Sequence, residues 1–483
     1  MAKGFSLNGK TDSVVASDWL KQNLANYIFY ADTNGYEIQE VQIKNIWESS
    51  KRTTILYRTV IADSAGKRLE QLYVGSLVSE KRFAKELNEF KKQANGSPTW
   101  GPPVSGIPEV GLVLAAFPND RKMKLFTEGD LLQWANAHKG KLCRWAGLRG
   151  SRKTSITVNQ CRVEVLKYVP GKRYTAGCDL ELQTPDGDIH TIRFIAKQLN
   201  DFKKVRQLYN HLVSLRKSLW RLAHSSNMHA GEENPQPPFL VPQPLGLLEK
   251  PPVILIEIFP GDNIKRLLPQ LDIEHTMFKL GQKLALFHQA DKRVRKKVTY
   301  KNEINEVREA LAGLRKEFPQ WKDKLKKYFE KFEKSCIFDV YSQALLHGSF
   351  RLNHVFLTNH QFALLDLDSL RVGPPAYDIA NFLSSLYYLQ AQERFPADIR
   401  KVISKSFLEG YASHAGWEIS PKEILWFLSS LLVNKQAIKY INHQHGDRVE
   451  KASNMLDLAM HCLEILPNVE GKRSLSHLWS MVP

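Results

Sequence analysis

The sequence predicts an α+β protein with its strands gathered in the first half and its helices in the second, on three observations. Two segments in the first half read strand, turn, strand, helix, and they match each other. Apolar residues in the second half recur at the i, i+3, i+4 spacing of amphipathic helices. In the stretch LLHGSFRLNHVFLTNHQFALLDLDSL (Leu345 to Leu370), the runs HVFL and FALLDL, joined by TNHQ, read as a hairpin, with a polar loop before it and Asp366 and Asp368 after it. A loop and a carboxylate brought together by a hairpin suit a metal-bound phosphate.

The matching segments run from Lys51 to Val78 and from Lys172 to Leu199. Aligned without gaps, Gly66 falls on Gly187, Tyr73 on Phe194 and Val74 on Ile195, an offset of 121 (187 less 66). Each is followed by a helix rich in Lys and Leu and then by a similar phrase, GLVLAAFPND (Gly111 to Asp120) or VILIEIFPGD (Val253 to Asp262). Two matches in the same order point to an internal duplication. The copies differ at one chemically important place, where Lys197 stands opposite Ser76. A lysine closing a buried strand needs an anionic partner, because an unpaired buried ammonium is costly. Residues 1–146 therefore read as a structural half-domain and the second copy as the one with a ligand. Between them, GLRGSRKT (Gly147 to Thr154) approaches a phosphate-loop pattern, but Arg152 takes the second glycine position and would obstruct the backbone cradle. Residues 147–160 read as a basic linker.

In the second half, Arg315 to Lys334 reads as one amphipathic helix with Phe318, Trp321, Leu325, Tyr328 and Phe332 on its dry side. Helices are also predicted over IEHTMFKLGQKLALFHQ, DIANFLSSLYYL and SPKEILWFLSSLLVNKQAIKYI, the last opening with a Ser420–Glu423 capping box and Pro421 at the first helical position. His288 reads as a packed helix residue, and His443 and His445 as a surface loop rather than a metal pair.

Of the 483 residues, 43% are hydrophobic and 24% charged, an ordinary globular composition with room for two or three domains. The opening MAKGFSLNGK has no apolar h-region, and the longest apolar runs, such as ILWFLSSLLV, are too short to span a bilayer. The five cysteines form no CxxC pair, which fits a reducing cytoplasm and argues against a zinc site. A cytoplasmic protein is expected. The net charge of +18 is most simply solvated helix faces; no zinc-finger, RNP-type or GxxG pattern accompanies it, which argues against a nucleic-acid partner, while anionic ligands, nucleotides included, are favoured.

HGSFRLNHVFL, LLDLD and GPPAYDIANFL (Gly373 to Leu383) together resemble the aminoglycoside phosphotransferase and choline kinase family, whose pattern runs H-G-D-x-x-x-x-N, a hairpin, a metal-binding Asp, then G-D-P-A-x-D-L-A. The resemblance covers Cys161 to Pro483. It implies a protein-kinase-like, two-lobed domain, with an antiparallel lobe over 161–260, a helical lobe over 261–483 and a degenerate lobe-like half-domain over 1–146. It implies ATP and magnesium as cofactors and a small-molecule hydroxyl as phosphoryl acceptor. Lys197 then sits where the family holds the α- and β-phosphates, Gly171 in the nucleotide loop (KYVPGKRY), and Glu257 and Phe259 at the adenine-side hinge. Asp366 matches the magnesium ligand, His347 the first loop residue and Asp378 a buttress of the catalytic loop. Asp368, two residues beyond Asp366, shares its face on a strand, where a second metal contact and a solvated or capping carboxylate are equally open.

Three positions depart from the family pattern. Ser349 replaces the Asp that accepts the substrate proton. His354 replaces the metal-binding Asn, with Asn353 beside it as a substitute. The helix after Lys197 has no Glu to pair with that lysine. Two functions follow: an ATP-dependent small-molecule phosphotransferase, or a catalytically impaired, pseudokinase-like nucleotide-binding or scaffold protein. An aminoglycoside acceptor is disfavoured, because a polycation calls for an acidic pocket and the stretch after Leu383 has no acidic surplus.

Overall fold

The computed structural model describes residues 37–49, 52–63, 65–94, 96–148, 156–225, 235–336, 342–394, 396–418, 420–441 and 447–469. The opening decapeptide, residues 149–154 of GLRGSRKT, and His443 and His445 lie outside them. The chain divides into two compact units, Met1–Arg206 with Leu245–Glu257, and Gln207–Pro244 with Ile258–Pro483.

The first unit contains two five-stranded sheets. One is built from β1 (Glu37–Ser49), β2 (Arg52–Ala62), β3 (Arg68–Leu77), β4 (Val104–Ile107) and β5 (Leu112–Ala116), with α1 (Glu80–Gln93) between β3 and β4. The other is built from β6 (Thr157–Val169), β7 (Arg173–Gln183), β8 (Ile189–Leu199), β9 (Pro244–Leu248) and β10 (Val253–Glu257), with α4 (Phe202–Ser225) after β8. Both have the same strand order, β1-β2-β3-β5-β4 and β6-β7-β8-β10-β9. Register agrees as well. Thr54 faces Ser76 in one sheet and Thr175 faces Lys197 in the other, each pair 121 residues apart from its counterpart (175 less 54, 197 less 76). Burial alternates residue by residue along β7, the period-two signature of a strand with one packed face.

Two short helices, α2 (Glu128–Ala137) and α3 (Lys139–Trp145), precede β6. Thr127 and Asp130 form a reciprocal capping box that starts α2. Leu131, Trp134, Leu142 and Cys143 from these helices join Tyr174, Leu180 and Phe194 of the second sheet in one core cluster, which also takes in Leu56 and Val74 of the first. The Gln198 side chain fixes the incoming chain, accepting from the Phe126 amide at 2.9 Å and donating to the Lys124 carbonyl at 2.7 Å.

The second unit is mainly helical. It holds most of α4, then α5 (Ile264–Leu267), α6 (Ile273–His288), α7 (Tyr300–Glu317), α8 (Lys322–Lys334), α9 (Ala376–Ala391), α10 (Ala397–His414), α11 (Pro421–Leu431) and α12 (Arg448–Ile465). Helices α6 and α10 cross closely because both offer glycine at the crossing: a Cβ on Gly281 would run into the Phe407 carbonyl, and one on Gly410 into that of Phe278. Short strands β11 (Asp262–Asn263), β13 (Val355–Thr358) and β14 (Gln361–Leu364) form one small sheet, and β12 (Ala344–Leu346) pairs with β15 (Arg371–Gly373). TNHQ joins β13 to β14 as a two-residue turn, with Asn359 and His360 at φ 46° and 61°.

Three local expectations are corrected. The helix predicted over Arg315 to Lys334 is broken at Phe318–Trp321, because Pro319 lacks the N–H that a continuous helix needs there. The Ser420 hydroxyl does accept from the Glu423 amide, but the Glu423 carboxylate accepts from the Tyr300 hydroxyl instead of closing the capping box. Helix α11 stops at Leu431 and continues as a wider π turn, Leu432–Gln436, and a 3-10 turn, Ala437–Ile441.

Candidate active site

Residues 347–354 in the second unit form a loop between β12 and β13 whose apolar members peg it down. Phe350 is fully buried against Phe239, Phe382 and Phe407, and Leu352 is equally buried. Ser349 and Arg351 are left half-buried and Asn353 exposed. The pairing of β12 with β15 brings the ends of this loop and of the Asp366 segment together, Leu346 facing Arg371.

Asp378, in the first turn of α9, is the buried clamp. Its Oδ2 accepts from the His347 amide at 2.6 Å and its Oδ1 from the Gly348 amide at 2.8 Å, while His288 Nε2 lies 3.3 Å from Oδ2. Burial alone would raise this carboxyl's pKa; the hydrogen bond and charge of His288, with the Gly348 amide, hold it below the ordinary value. Gly348 takes φ 79°, and a Cβ there would meet the Ser369 carbonyl, so only glycine serves. His288 also contacts the Tyr411 hydroxyl at 2.6 Å through Nδ1. That is a second-helix support for the loop, where the sequence suggested only packing.

His347 Nε2 donates to the Leu365 carbonyl at 2.9 Å, which leaves Nδ1 as an acceptor. The Ser349 hydroxyl lies 3.4 Å from that Nδ1 and the Ser349 amide 3.3 Å from it. Burial lowers the His347 pKa, and the Ser349 amide aimed at Nδ1 matches a ring nitrogen that carries no proton.

Asp366 follows β14 in the left-handed region at φ 59° and ψ 48°, an unusual backbone for Asp that turns its carboxylate out of the strand line. Asp368 lies in the following 3-10 turn, Leu367–Ser369, so the shared strand face expected for the two carboxylates does not form. His354 Nε2 stands 3.5 Å from Asp366 Oδ2 and accepts from Arg351 Nε at 2.9 Å. Its Nδ1 is buried without a hydrogen-bond partner. Asn353 lines a separate depression with Asn263, Arg266 and Arg394. Among the described residues no group of three His, Cys, Asp or Glu side chains is arranged for a metal. Magnesium bound with nucleotide needs only one or two carboxylates beside phosphate oxygens and water. Asp366, with its side chain 36% exposed, fits that requirement. His354 does not, since its outward lone pair is spent on Arg351.

Two residues the motifs did not mark arrive from the π and 3-10 turns after α11. Lys435 Nζ reaches the Gly348 carbonyl at 3.3 Å and Asn381 Oδ1 at 2.9 Å. Lys439 Nζ lies 3.8 Å from the Tyr388 ring centroid and donates to Gln436 at 2.6 Å. Burial depresses both lysines, Lys435 to about 8 and Lys439 to about 7, the latter also opposed by Arg351 and Lys435. Two lysines thus approach the 347–354 loop and its supports.

In the first unit, Lys197 lies on β8, nearly buried, between Thr175 of β7 and Ile254 of β10. Glu257 ends β10 opposite Phe194. The Gly171 amide donates to Asp120 at 2.6 Å, so this nucleotide-loop candidate is tied to the FPND phrase of the first sheet. Phe259, half-buried, belongs to the second unit, ahead of the β11 strand that pairs with β13. Asn263 there donates to the carbonyls of Leu352, Asn353 and Val355, a further brace on the loop.

Residues 228–417 match the model of the phosphotransferase enzyme family. Similar solved structures include a choline/ethanolamine kinase family protein from Mesorhizobium loti, with 11% identity, 72% of this chain and 98% of that chain covered, and a TM-score of 0.39. A choline kinase from Cryptosporidium parvum gives 13%, 68%, 95% and 0.40. A spectinomycin phosphotransferase solved with ADP and spectinomycin gives 13%, 74%, 99% and 0.40. No curated protein sequence matches. No helix among the described residues is long and apolar enough to cross a membrane.

Proposed function

We propose, from the match of residues 228–417 to the model of the phosphotransferase enzyme family, that this chain transfers a phosphoryl group from ATP to a hydroxyl of a small neutral or anionic molecule. The observation that carries this reading is the intact clamp: Asp378 holding the His347 and Gly348 amides while Asp366 is presented in a left-handed turn beside the same loop. Such precision matters because phosphoryl transfer depends on positioning and charge neutralisation more than on covalent chemistry. In this reading Lys197 would serve the phosphates and Asp366 would hold magnesium, which when bound would neutralise phosphate charge. Arg351, Lys435 and Lys439 support an acceptor that is not a polycation.

The departures at Ser349 and His354 support a second reading, a nucleotide-binding protein without turnover. Losing a general base typically costs ~10²–10⁴ in rate, which slows a site without abolishing it. The test is a thermal-shift titration with ATP, with and without magnesium, since a ligand of the native state raises the melting temperature by mass action. Lys197→Met should weaken the ATP shift under both conditions, and Asp366→Asn should remove mainly its magnesium-dependent part. Identical shifts in both variants and the parent would sink the nucleotide site.

A further inference from the structure

The first sheet carries a cavity of about 200 Å³ that the proposed reaction does not use. Among the described residues, four cationic side chains line it: Arg52 on β2, Arg121 and Lys122 after β5, and Lys172 from the turn between β6 and β7. Its apolar wall includes Trp47 and Phe90. Every one of these residues belongs to the first unit.

The charges are arranged rather than scattered. Arg52 and Arg121 both reach Oε1 of Glu86 on α1, at 2.9 and 2.6 Å, and the Ser76 hydroxyl donates to the same oxygen at 2.9 Å. The Glu86 side chain is only 3% exposed. Burial would raise its pKa, but the Ser76 hydrogen bond and the two guanidinium charges hold it below the ordinary value. Arg121 also pairs with Glu89. Among the described lining residues the one carboxylate, Asp120, is spent on backbone and hydroxyl donors: its Oδ1 takes the Lys122 and Met123 amides, and its Oδ2 the Tyr168 hydroxyl and the Gly171 amide, both at 2.6 Å. Asp120 thereby pins the Val169–Lys172 turn over the cavity mouth, bringing Lys172 to the rim. Lys122 and Lys172 are exposed there and carry the uncompensated positive charge.

Comparison with the second sheet shows a division of parts. Lys197 stands at the Ser76 position and, at the same offset of 121 (207 less 86), Gln207 stands at that of Glu86. The second copy keeps the lysine without the acid, while the first keeps the acid and surrounds it with arginines. We propose that the first sheet holds a second ligand site, for a small organic phosphate whose phosphate meets Arg52, Arg121, Lys122 and Lys172 and whose apolar body lies against Trp47 and Phe90. Guanidinium pairs suit phosphate geometry, and the apolar wall discriminates against bare inorganic phosphate.

Isothermal titration of the full chain with phenyl phosphate tests this, with inorganic phosphate and phenol as parallel titrants. Phenyl phosphate should bind one per chain and more tightly than either fragment. The double variant Lys122→Glu/Lys172→Glu changes only exposed rim charges, so its melting temperature should hold while affinity falls about tenfold or more. Trp47→Ala should weaken phenyl phosphate but spare inorganic phosphate. Lys197→Met should leave phenyl phosphate binding intact. No binding of phenyl phosphate at millimolar concentration, or equal affinity in parent and double variant, would overturn the proposal. Loss of binding in Lys197→Met alone would assign the phosphate to the catalytic machinery and overturn it equally.

Discussion

Arg351 Nε donates to His354 Nε2 at 2.9 Å, and that same ring nitrogen lies 3.5 Å from Asp366 Oδ2. A guanidinium therefore occupies the ring nitrogen that faces Asp366. Burial first, then the neighbouring His347 and Arg351, depresses the His354 pKa to about 3, so the ring is neutral at any ordinary pH. It serves as an acceptor for Arg351 rather than as a titrating group.

His354→Asn should free Arg351 and offer an amide oxygen beside Asp366, enlarging the magnesium-dependent part of the ATP-induced melting shift. The same substitution has a pH signature. Between about 3 and the usual 6.5 of an unfolded histidine, the unfolded chain binds a proton that the folded one does not. Stability therefore falls as pH drops through that window. The variant should lose part of this acid sensitivity when melting temperature is followed from pH 7 to 4; an unchanged slope would mean His354 is not the buried neutral group described.

Asp378→Ala should cost about 3–5 kcal/mol, since it strands the His347 and Gly348 amides and the His288 ring in a space with no exposure. Asp378→Asn should not rescue it, because one face of an amide would oppose an N–H with an NH₂. Denaturant midpoints measure the cost, and a loss below about 1 kcal/mol in either variant would show that the clamp is dispensable.

Much of this was legible in the sequence, for physical reasons that also mark its limits. The β2–β3 and β7–β8 hairpins showed through Gly66 and Gly187, because each turn needs positive φ, and the two sheets then repeat each other's register. His347, Asp366 and Asp378 were picked out by the family resemblance, and the structure brings Asp378 to the His347 amide and Asp366 beside His354. Arg351 as a partner of His354, His288 under the loop, and Lys435 and Lys439 were not. They meet the site through rotamers or from distant helices, and the π turn that aims Lys435 breaks the 3.6 period from which its direction would be read. Glu86 escaped notice because charge on a Lys-rich helix reads as solvated, yet it is the buried centre of an ion cluster.

Lys439 predicts an alkaline loss of anion affinity in the second unit. With its pKa lowered to about 7, it is cationic below that pH and neutral above. The ATP-induced melting shift should shrink severalfold between pH 6 and 8.5. Lys439→Met should be weak and pH-flat, and Lys439→Arg strong and pH-flat. Stability moves the other way: from about 7 up to the usual 10.5 the unfolded chain holds the extra proton, so the parent gains stability as pH rises and the Met variant does not. A pH-independent ATP shift in the parent would exclude Lys439 from the ligand's surroundings.

The sequence resemblance sets Ser349 opposite the family's base; its hydroxyl lies 3.4 Å from the acceptor nitrogen of His347, and a neutral hydroxyl cannot take up a proton as a carboxylate does. The buried His347 is a poor substitute, since its Nε2 is committed to Leu365 and burial lowers its basicity. Ser349→Asp should supply the missing base. Lys435 on the Gly348 carbonyl and Arg351 two residues on would keep the new carboxylate ionised and offset its repulsion by Asp366, with magnesium adding to that effect. Turnover, or ATP hydrolysis where no acceptor is supplied, should rise by up to the ~10²–10⁴ that a positioned base contributes, and the gain should require magnesium. Lower activity in the variant than in the parent would mean that the Ser349 hydroxyl already works in a site of its own. Silence in both proteins, with ATP demonstrably bound, would decide for nucleotide binding without transfer.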